Sequence, residues 1–416
     1  MKVPKRQVTL RTCAALVITF LFPTETTRAE VQTNKVDPVV TAFARAKHRQ
    51  AETLAAKLNL FLPPRLSSFF EAAEQGDWLV VSNRFDNDLL REAGVQKSGP
   101  HPEMMNELWA PAHETLGLYE VYAQADPGLL REFAERILAV MATNALYFGG
   151  TDAGRFAVTA FNDQRERPKV VVLTQNALAD LRYMSYVREV YGSAIWLPAV
   201  SDIQQGFTEY CEDYKKRDPL PGEKTVFHDG QVTVQGVGAV MIINGILARM
   251  IVEKNGGDRE IFVEESYAIP WMYPRLVPCG PILKLNRQRQ GKFSANVVNA
   301  DRQYWDALSK ELIGDVRFVR SVATRKIFAK LRAAIGGVYE FHEMKDEAEY
   351  AYQQALLLSP VSPDALVRLA RLRVGNGQMD EAAKLLGQIS DADLDNDLKR
   401  AEFDTVKARL RPANSR

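Results

Sequence analysis

Apolar residues recur at helical spacing from Val39 to Leu60, with Val39, Phe43, Ala46, Leu54 and Leu58 on one stripe, until Pro63-Pro64 closes the stretch. The pattern resumes from Leu66 to Glu74, breaks at Gln75-Gly76-Asp77 and reopens from Trp78 to Leu90, which predicts a helical hairpin. Gly94 to Pro102 reads as a polar linker. Further helices are predicted over Met104–Ala123 and Pro127–Ala142. From Ala145 the pattern changes. Ala145-Leu146-Tyr147-Phe148 is a short apolar run closed by Gly149-Gly150, a helical stretch spans Asp152–Asn162, and Lys169–Leu173 carries the β-branched run Val170-Val171-Val172. Ala177–Tyr191 is helical again, so strand and helix alternate as in βαβ units. Next come a helix near Gln204–Tyr214, a hairpin over Val226–Val234 turning at Asp229-Gly230, and a mostly apolar helix over Val237–Val252 that Asn255-Gly256-Gly257 ends. Ile261-Phe262-Val263 and Pro281–Leu285 read as further strands.

From Asn299 onward the chain reads as helix to its end, and a period of about 34 residues emerges, the spacing of a tetratricopeptide unit. Gly336, Tyr339, Ala348, Tyr352, Ala355 and Pro360 occupy its small, aromatic and proline positions. The next unit gives Ala370, Arg373, Ala382, Leu386 and Ile389, and Asp346-Glu347-Ala348 is echoed by Asp380-Glu381-Ala382. Leu394–Leu410 reads as a terminal capping helix. Two hairpins and a cap make a short array, so the tail is expected to lean on the preceding domain through a helix near Asn299–Ile313.

The amino terminus does not fit this globular pattern. Lys2, Lys5, Arg6 and Arg11 precede an apolar run from Cys13 to Pro23, and Thr27-Arg28-Ala29 places small residues at −3 and −1 for cleavage after Ala29. This is a secretory layout, and the run falls short of the roughly 20 residues a membrane span needs. A periplasmic or secreted location is expected. Cleavage would remove five basic residues and one acidic, so 53 and 52 become 48 and 51 and the net charge goes from +1 to −3. That balance argues against a nucleic-acid partner, which calls for a clustered basic footprint. Cys211 and Cys279 would remain, and an oxidising compartment permits but does not require a bridge between them.

The expected fold class is α/β: a small, mostly parallel, Rossmann-like sheet (144–298), flanked by a helical region (30–143) and a tetratricopeptide-like array (299–416), after a signal segment (1–29). In open parallel sheets ligands bind beyond the carboxyl ends of the strands. Three polar clusters fall there. Gly149, Gly150, Thr151, Asp152 and Arg155 could offer backbone N–H groups and a guanidinium to an anion or hydroxyl, although Thr151 or Asp152 could equally cap the next helix. Gln175 and Asn176 could bind a sugar or peptide, or Asn176 could be a cap. Glu264 and Glu265, as strand neighbours, point to opposite faces and cannot pair with each other, though either could meet Asp152. Trp271-Met272-Tyr273-Pro274 is a sugar platform or a packed corner. The five histidines lack metal-ligand spacing and there is no nucleophile elbow, so no metal, cofactor or catalytic residue is assigned.

The segments Tyr147–Phe156, Leu173–Asp180 and Glu264–Pro274 resemble uncharacterised exported proteins of the Verrucomicrobia and their relatives. These in turn are similar to the soluble carboxyl-terminal portion of bacterial membrane proteins related to protein O-mannosyltransferases. The resemblance covers roughly residues 65–390 and implies an α/β part followed by helical repeats; the multi-span membrane region is missing, so no catalytic residue carries over. The expectation is an exported binding or assembly protein whose tail contacts a protein partner and whose strand ends hold a glycan or small molecule. The alternative is an enzyme acting on carbohydrate or cell-envelope polymer at that same place.

Overall fold

The computed structural model describes residues 36–410, apart from 94–95, 166–169, 229–230, 258, 266 and 395. The signal-like segment and the Asp229-Gly230 turn therefore lie outside the described residues. Helix α1 (Pro38–Lys57) begins where Asp37 accepts the Val39 N–H, with proline in a first turn that has no use for its missing donor. Gly76, at φ +83°, ends α2 (Pro64–Gln75), and Asp77 caps α3 (Trp78–Arg84). A π-helical turn over Phe85–Leu89 then delivers the chain into β1 (Leu90–Ala93), which pairs antiparallel with β2 (Gln96–Pro100). The predicted helix thus stops short of Leu90, and the predicted linker is one arm of a hairpin. Helices α4 (Trp109–Gln124) and α5 (Pro127–Ala139) complete the region.

The central part threads β3 (Leu146–Gly149), a π-helical turn (Ala153–Ala157) running into α6 (Val158–Asp163), β4 (Val171–Thr174), α7 (Leu181–Tyr191) and α8 (Val200–Tyr214). After these come a hairpin of β5 (Lys224–His228) and β6 (Gln231–Gln235), then α9 (Val237–Asn255), β7 (Ile261–Val263), β8 (Leu276–Cys279) and β9 (Ile282–Leu285). The five-stranded sheet has the order β4-β3-β7-β9-β8. β3 pairs parallel with both neighbours, Leu146 facing Val171 on one side and Ile261 on the other. All three strands are buried throughout, as their continuous apolar runs require.

The sheet is mixed, in place of the mostly parallel, Rossmann-like sheet expected. β9 runs antiparallel to both β7 and β8. Two residues, Gly280 and Pro281, separate β8 from β9, and Gly280 takes φ +59° in the turn. A parallel crossover needs a dozen residues or more, so only a hairpin fits. β8 escaped the sequence reading because Pro278 interrupts it; as an edge strand it tolerates the missing donor.

The tail consists of α10 (Ala295–Gly314), α11 (Val316–Arg320), α12 (Val322–Phe341), α13 (Lys345–Leu358), α14 (Pro363–Gly375), α15 (Met379–Leu386) and α16 (Asp397–Ala408). The small positions of the repeat have a concrete reason: a Cβ on Gly336 would sit 2.5 Å from the Tyr352 ring, so α12 and α13 approach closely only with glycine there. One continuous apolar core runs from Val39 to Leu372, and a smaller one joins Val367, Ala370, Ala382, Leu386 and Val406. Cys211 is buried, Cys279 half-buried, and both are free. Among the described residues, no helix is long and apolar enough to cross a membrane.

Candidate functional site

The three parallel strands bring the predicted clusters to one end of the sheet. The Gln175 N–H donates to Gly149 O and the Glu264 N–H to Phe148 O, both at 2.9 Å, which ties the ends of β4 and β7 to β3. This is the point at which strand order reverses, where such sheets bind ligands. Here a side chain of the protein fills it. The Gly150 and Thr151 N–H groups donate to Glu264 Oε2 at 2.7 and 2.8 Å, and the Thr151 hydroxyl donates to Oε1 at 2.5 Å. Thr151 Oγ1 accepts the Gly154 N–H at 3.0 Å, the capping role foreseen for it. A Cβ on Gly154 would lie 1.8 Å from Glu264 Oε2, so glycine alone fits beside the carboxylate. Glu264 is 1% exposed, and burial pushes its pKa up against the pull of its three donors.

Arg155 joins the other members. Its Nε and Nη2 donate to Asp152 Oδ1 at 3.1 and 2.6 Å, its Nη1 to Asn176 Oδ1 at 3.3 Å, and its guanidinium lies 4.4 Å from the centre of the Phe156 ring. Gln175 is buried, and its carbonyl accepts from the Tyr267 hydroxyl. Asn176 is not the cap of α7. That helix starts five residues later, at Leu181, where Asp180 accepts from the Arg182 and Tyr183 N–H groups. The polar break in the apolar α9 is explained here as well: Asn244, fully buried, accepts the Ala179 N–H and donates to Asn176 O, stitching the loop after β4.

Glu265 faces away from this cluster. It accepts from the Tyr273 hydroxyl at 2.5 Å and from Arg368 Nη2, on α14, at 3.2 Å. The two glutamates therefore take opposite faces, as strand alternation requires, and each is engaged by its own donors. Trp271 Nε1 donates to Gly245 O while Met272 and Tyr273 are buried, so this aromatic segment is a packed corner.

The residue reading did not single out α4. Its His113 stacks on Trp109 and meets Phe156 edge-on, and its proton affinity is held down to about 4 by burial and the nearby Arg155 charge. Glu120 is pushed up to about 7 by burial and then by the charges of Asp152 and Asp86. Nothing in local spacing marks either residue, since α4 reaches the strand ends only through the fold. Lys47 is a further case: it is buried, donates to the Tyr186 hydroxyl at 2.7 Å and sits 2.5 Å from Glu114 Oε2.

What the arrangement does chemically is hold itself closed: the backbone cradle binds a carboxylate, and that carboxylate is its own. The two best-formed depressions among the described residues lie elsewhere, one of about 540 Å³ between α10 and α13, the other of about 330 Å³ at Val80, Asn83, Arg84, Asn87 and Asp88. Neither the curated proteins nor the solved structures include a significant match to this chain. Residues 346–410, from α13 to α16, match the tetratricopeptide repeat family, so the chain carries tetratricopeptide-like repeats at its carboxyl end.

Proposed function

We propose that this chain is an exported binding or assembly protein that engages another protein through its repeats, with the α/β part as the scaffold on which they are mounted. The observation that carries this reading is Glu264, whose carboxylate fills the anion cradle at the strand ends, while a depression of about 540 Å³ lies between α10 and α13, at the edge of the repeats. Tetratricopeptide arrays stack helical hairpins into surfaces that bind peptides and helices. The basic, apolar and small-residue order of the first 29 residues supports a periplasmic or secreted setting. The resemblance to exported proteins and to the soluble part of mannosyltransferase-related membrane proteins is consistent with work at the cell envelope.

The test is site-specific photo-crosslinking in the native host. A photoreactive residue at exposed Val361 or Phe341 is expected to capture a discrete protein from the envelope fraction, and one at Asp152 is not. Capture from Asp152 alone, or recovery of the chain only in the cytoplasm, would sink the reading.

One observation favours a second, carbohydrate-directed reading. Asp152 is partly exposed, and the Glu120 carboxyl, pushed up to about 7 by burial and then by the charges of Asp152 and Asp86, shares its surroundings, as a pair of carboxyls serving general acid–base work would. Hydrolysis of a cell-wall glycan panel that is lost in both Asp152→Asn and Glu120→Gln would establish it; inactivity of the wild type on that panel would remove it.

A further inference from the structure

One end of the sheet gathers positive charge that its surroundings do not balance. From Ser266 to Ala300 the sequence holds five basic residues and no aspartate or glutamate. Strand pairing brings several of them together. Leu285 of β9 lies opposite Ile261 of β7 on one side and Leu276 of β8 on the other, so Arg275, Arg287 and Arg289 collect beside Arg259 and beside Lys254 in the last turn of α9. This is the end at which the parallel strands begin, opposite the Glu264 cradle. The guanidinium groups donate to carbonyl oxygens: Arg287 to Gly257 O, Arg275 to Arg287 O and Trp271 O at 3.3 and 2.9 Å, and Arg259 to Asn144 O and Ala194 O. Carbonyls position a guanidinium and leave its charge in place. None of the five side chains forms an ion pair with another described residue. The nearby carboxylates are engaged, Glu260 with Lys284 and Glu253 with Arg249. Asp258, outside the described residues, offsets at most one of the five charges. Lys254, Arg287 and Arg289 are exposed, and among the described residues from Lys254 to Ala300 no large apolar side chain is.

We propose that this end of the sheet docks on a membrane surface rich in anionic phospholipid. A protein–protein interface draws its affinity from a few large side chains buried at its centre, and this surface presents none. A fluid layer of phosphate headgroups asks only for positive charge spread over long side chains. Each basic group held near such a layer strengthens binding by about fivefold, and the planar guanidinium matches phosphate. The exported setting proposed above puts lipid within reach and nucleic acid out of it, and the inference rests on that setting for this choice alone. Docking through Arg287 and Arg289 leaves the strand ends at Gly150 and Glu264 on the side away from the bilayer, with the site there open to the other phase.

The test is vesicle flotation. The chain from Glu30 on keeps every described residue and removes the apolar leader run, which could enter a bilayer by itself. It is expected to float with phosphatidylcholine vesicles containing about one third phosphatidylglycerol and to stay behind with phosphatidylcholine alone. Raising the salt to about 1 M, where the screening length falls to about 3 Å, should release it. Lys254→Gln combined with Arg289→Gln changes two exposed side chains for which no hydrogen bond is seen, so the fold is kept; binding should fall about twentyfold or more. Lys384→Gln combined with Lys407→Gln makes the same change in net charge on the exposed face of the tail and should leave binding within about twofold. Equal flotation with both vesicle types, no flotation with the anionic ones, or equal losses in the two double variants would overturn the proposal. Tighter binding to polyglutamate or to duplex DNA than to the anionic vesicles would also overturn it, assigning the surface to an acidic protein or to nucleic acid. Recovery of the chain only in the cytoplasm would remove the exported setting, and the vesicle and DNA results would still decide between lipid and nucleic acid.

Discussion

His113 and Glu120 sit on one helix, each held in its uncharged form, and their effects on stability oppose each other. Glu120 binds its proton up to about pH 7 in the folded chain, against an ordinary value of 4.5. Between those values the folded state holds a proton the unfolded state has released, so stability falls as pH rises. His113 stays neutral down to about pH 4, against 6.5. Over that interval the unfolded state binds the extra proton, so stability rises with pH. From pH 4.5 to 6.5 the two slopes largely cancel in the wild type. Urea titrations at stepped pH should separate them. Glu120→Gln leaves the His113 limb, a gain of roughly 2–3 kcal/mol from pH 4 to 6.5, and His113→Gln leaves the Glu120 limb, a loss of similar size from pH 4.5 to 7. Parallel flat profiles in both variants would refute the assignment. Neither residue was legible beforehand. A histidine and a glutamate in a helical run give no sign in their spacing of being shielded from water, and it is the packing of α4, covered on nearly every side and set against the π-helical turn at 153–157, that makes them so.

At the scale of elements, the legible features were those written in continuous runs. The strands Leu146–Gly149, Val171–Thr174 and Ile261–Val263 are buried on both faces and apolar throughout, and the polar clusters behind them could be named because such strands end at ligand sites. Hidden were the strands with no pattern to show: Leu-Arg-Glu-Ala in β1, and β8 with its proline and half-buried positions. The use of the clusters was hidden too, because the Glu264 carboxylate meets Gly150 across 114 residues of chain, a register that spacing does not reveal. The closure is testable. Glu264→Ala strands two backbone donors and a hydroxyl in a sealed space and should lower stability by about 2–4 kcal/mol in denaturant unfolding, whereas Glu264→Gln, which keeps an acceptor for the backbone donors, should cost less. A loss under about 0.5 kcal/mol in the alanine variant, typical of surface changes, would mean that the cradle opens to water.

For the whole molecule, the decisive link is between the sheet and the repeats. Arg368 of α14 reaches Glu265 at the end of β7, and a Cβ on Gly337 of α12 would lie 2.5 Å from Arg368 Nη1, so the glycine keeps that passage clear. The tail is expected to lean on its neighbour through the helix near Asn299–Ile313; there α10 sends Trp305, Leu308 and Leu312 into the core shared from Val39 to Leu372, and α12 and α14 add the contacts named here. Scanning calorimetry should show sheet and repeats melting in one transition. Arg368→Ala, which leaves Glu265 buried with Tyr273 alone, should cost about 3–5 kcal/mol, and the double variant Arg368→Ala with Glu265→Gln should recover part of that. Two separated transitions in the wild type would show the tail to be an independent unit.

The passage beside Gly337 also bears on how the chain is made. Glu265 and Arg368 are 103 residues apart. Where export keeps pace with synthesis at roughly 5–20 residues per second, the second partner reaches the far side of the membrane about 5–20 s after the first. During that interval the nascent α/β part carries a carboxyl group destined for burial and the uncovered apolar face on which α12 will dock. A holding chaperone or a quality-control protease has those seconds in which to act, and release of the last hundred residues ends them.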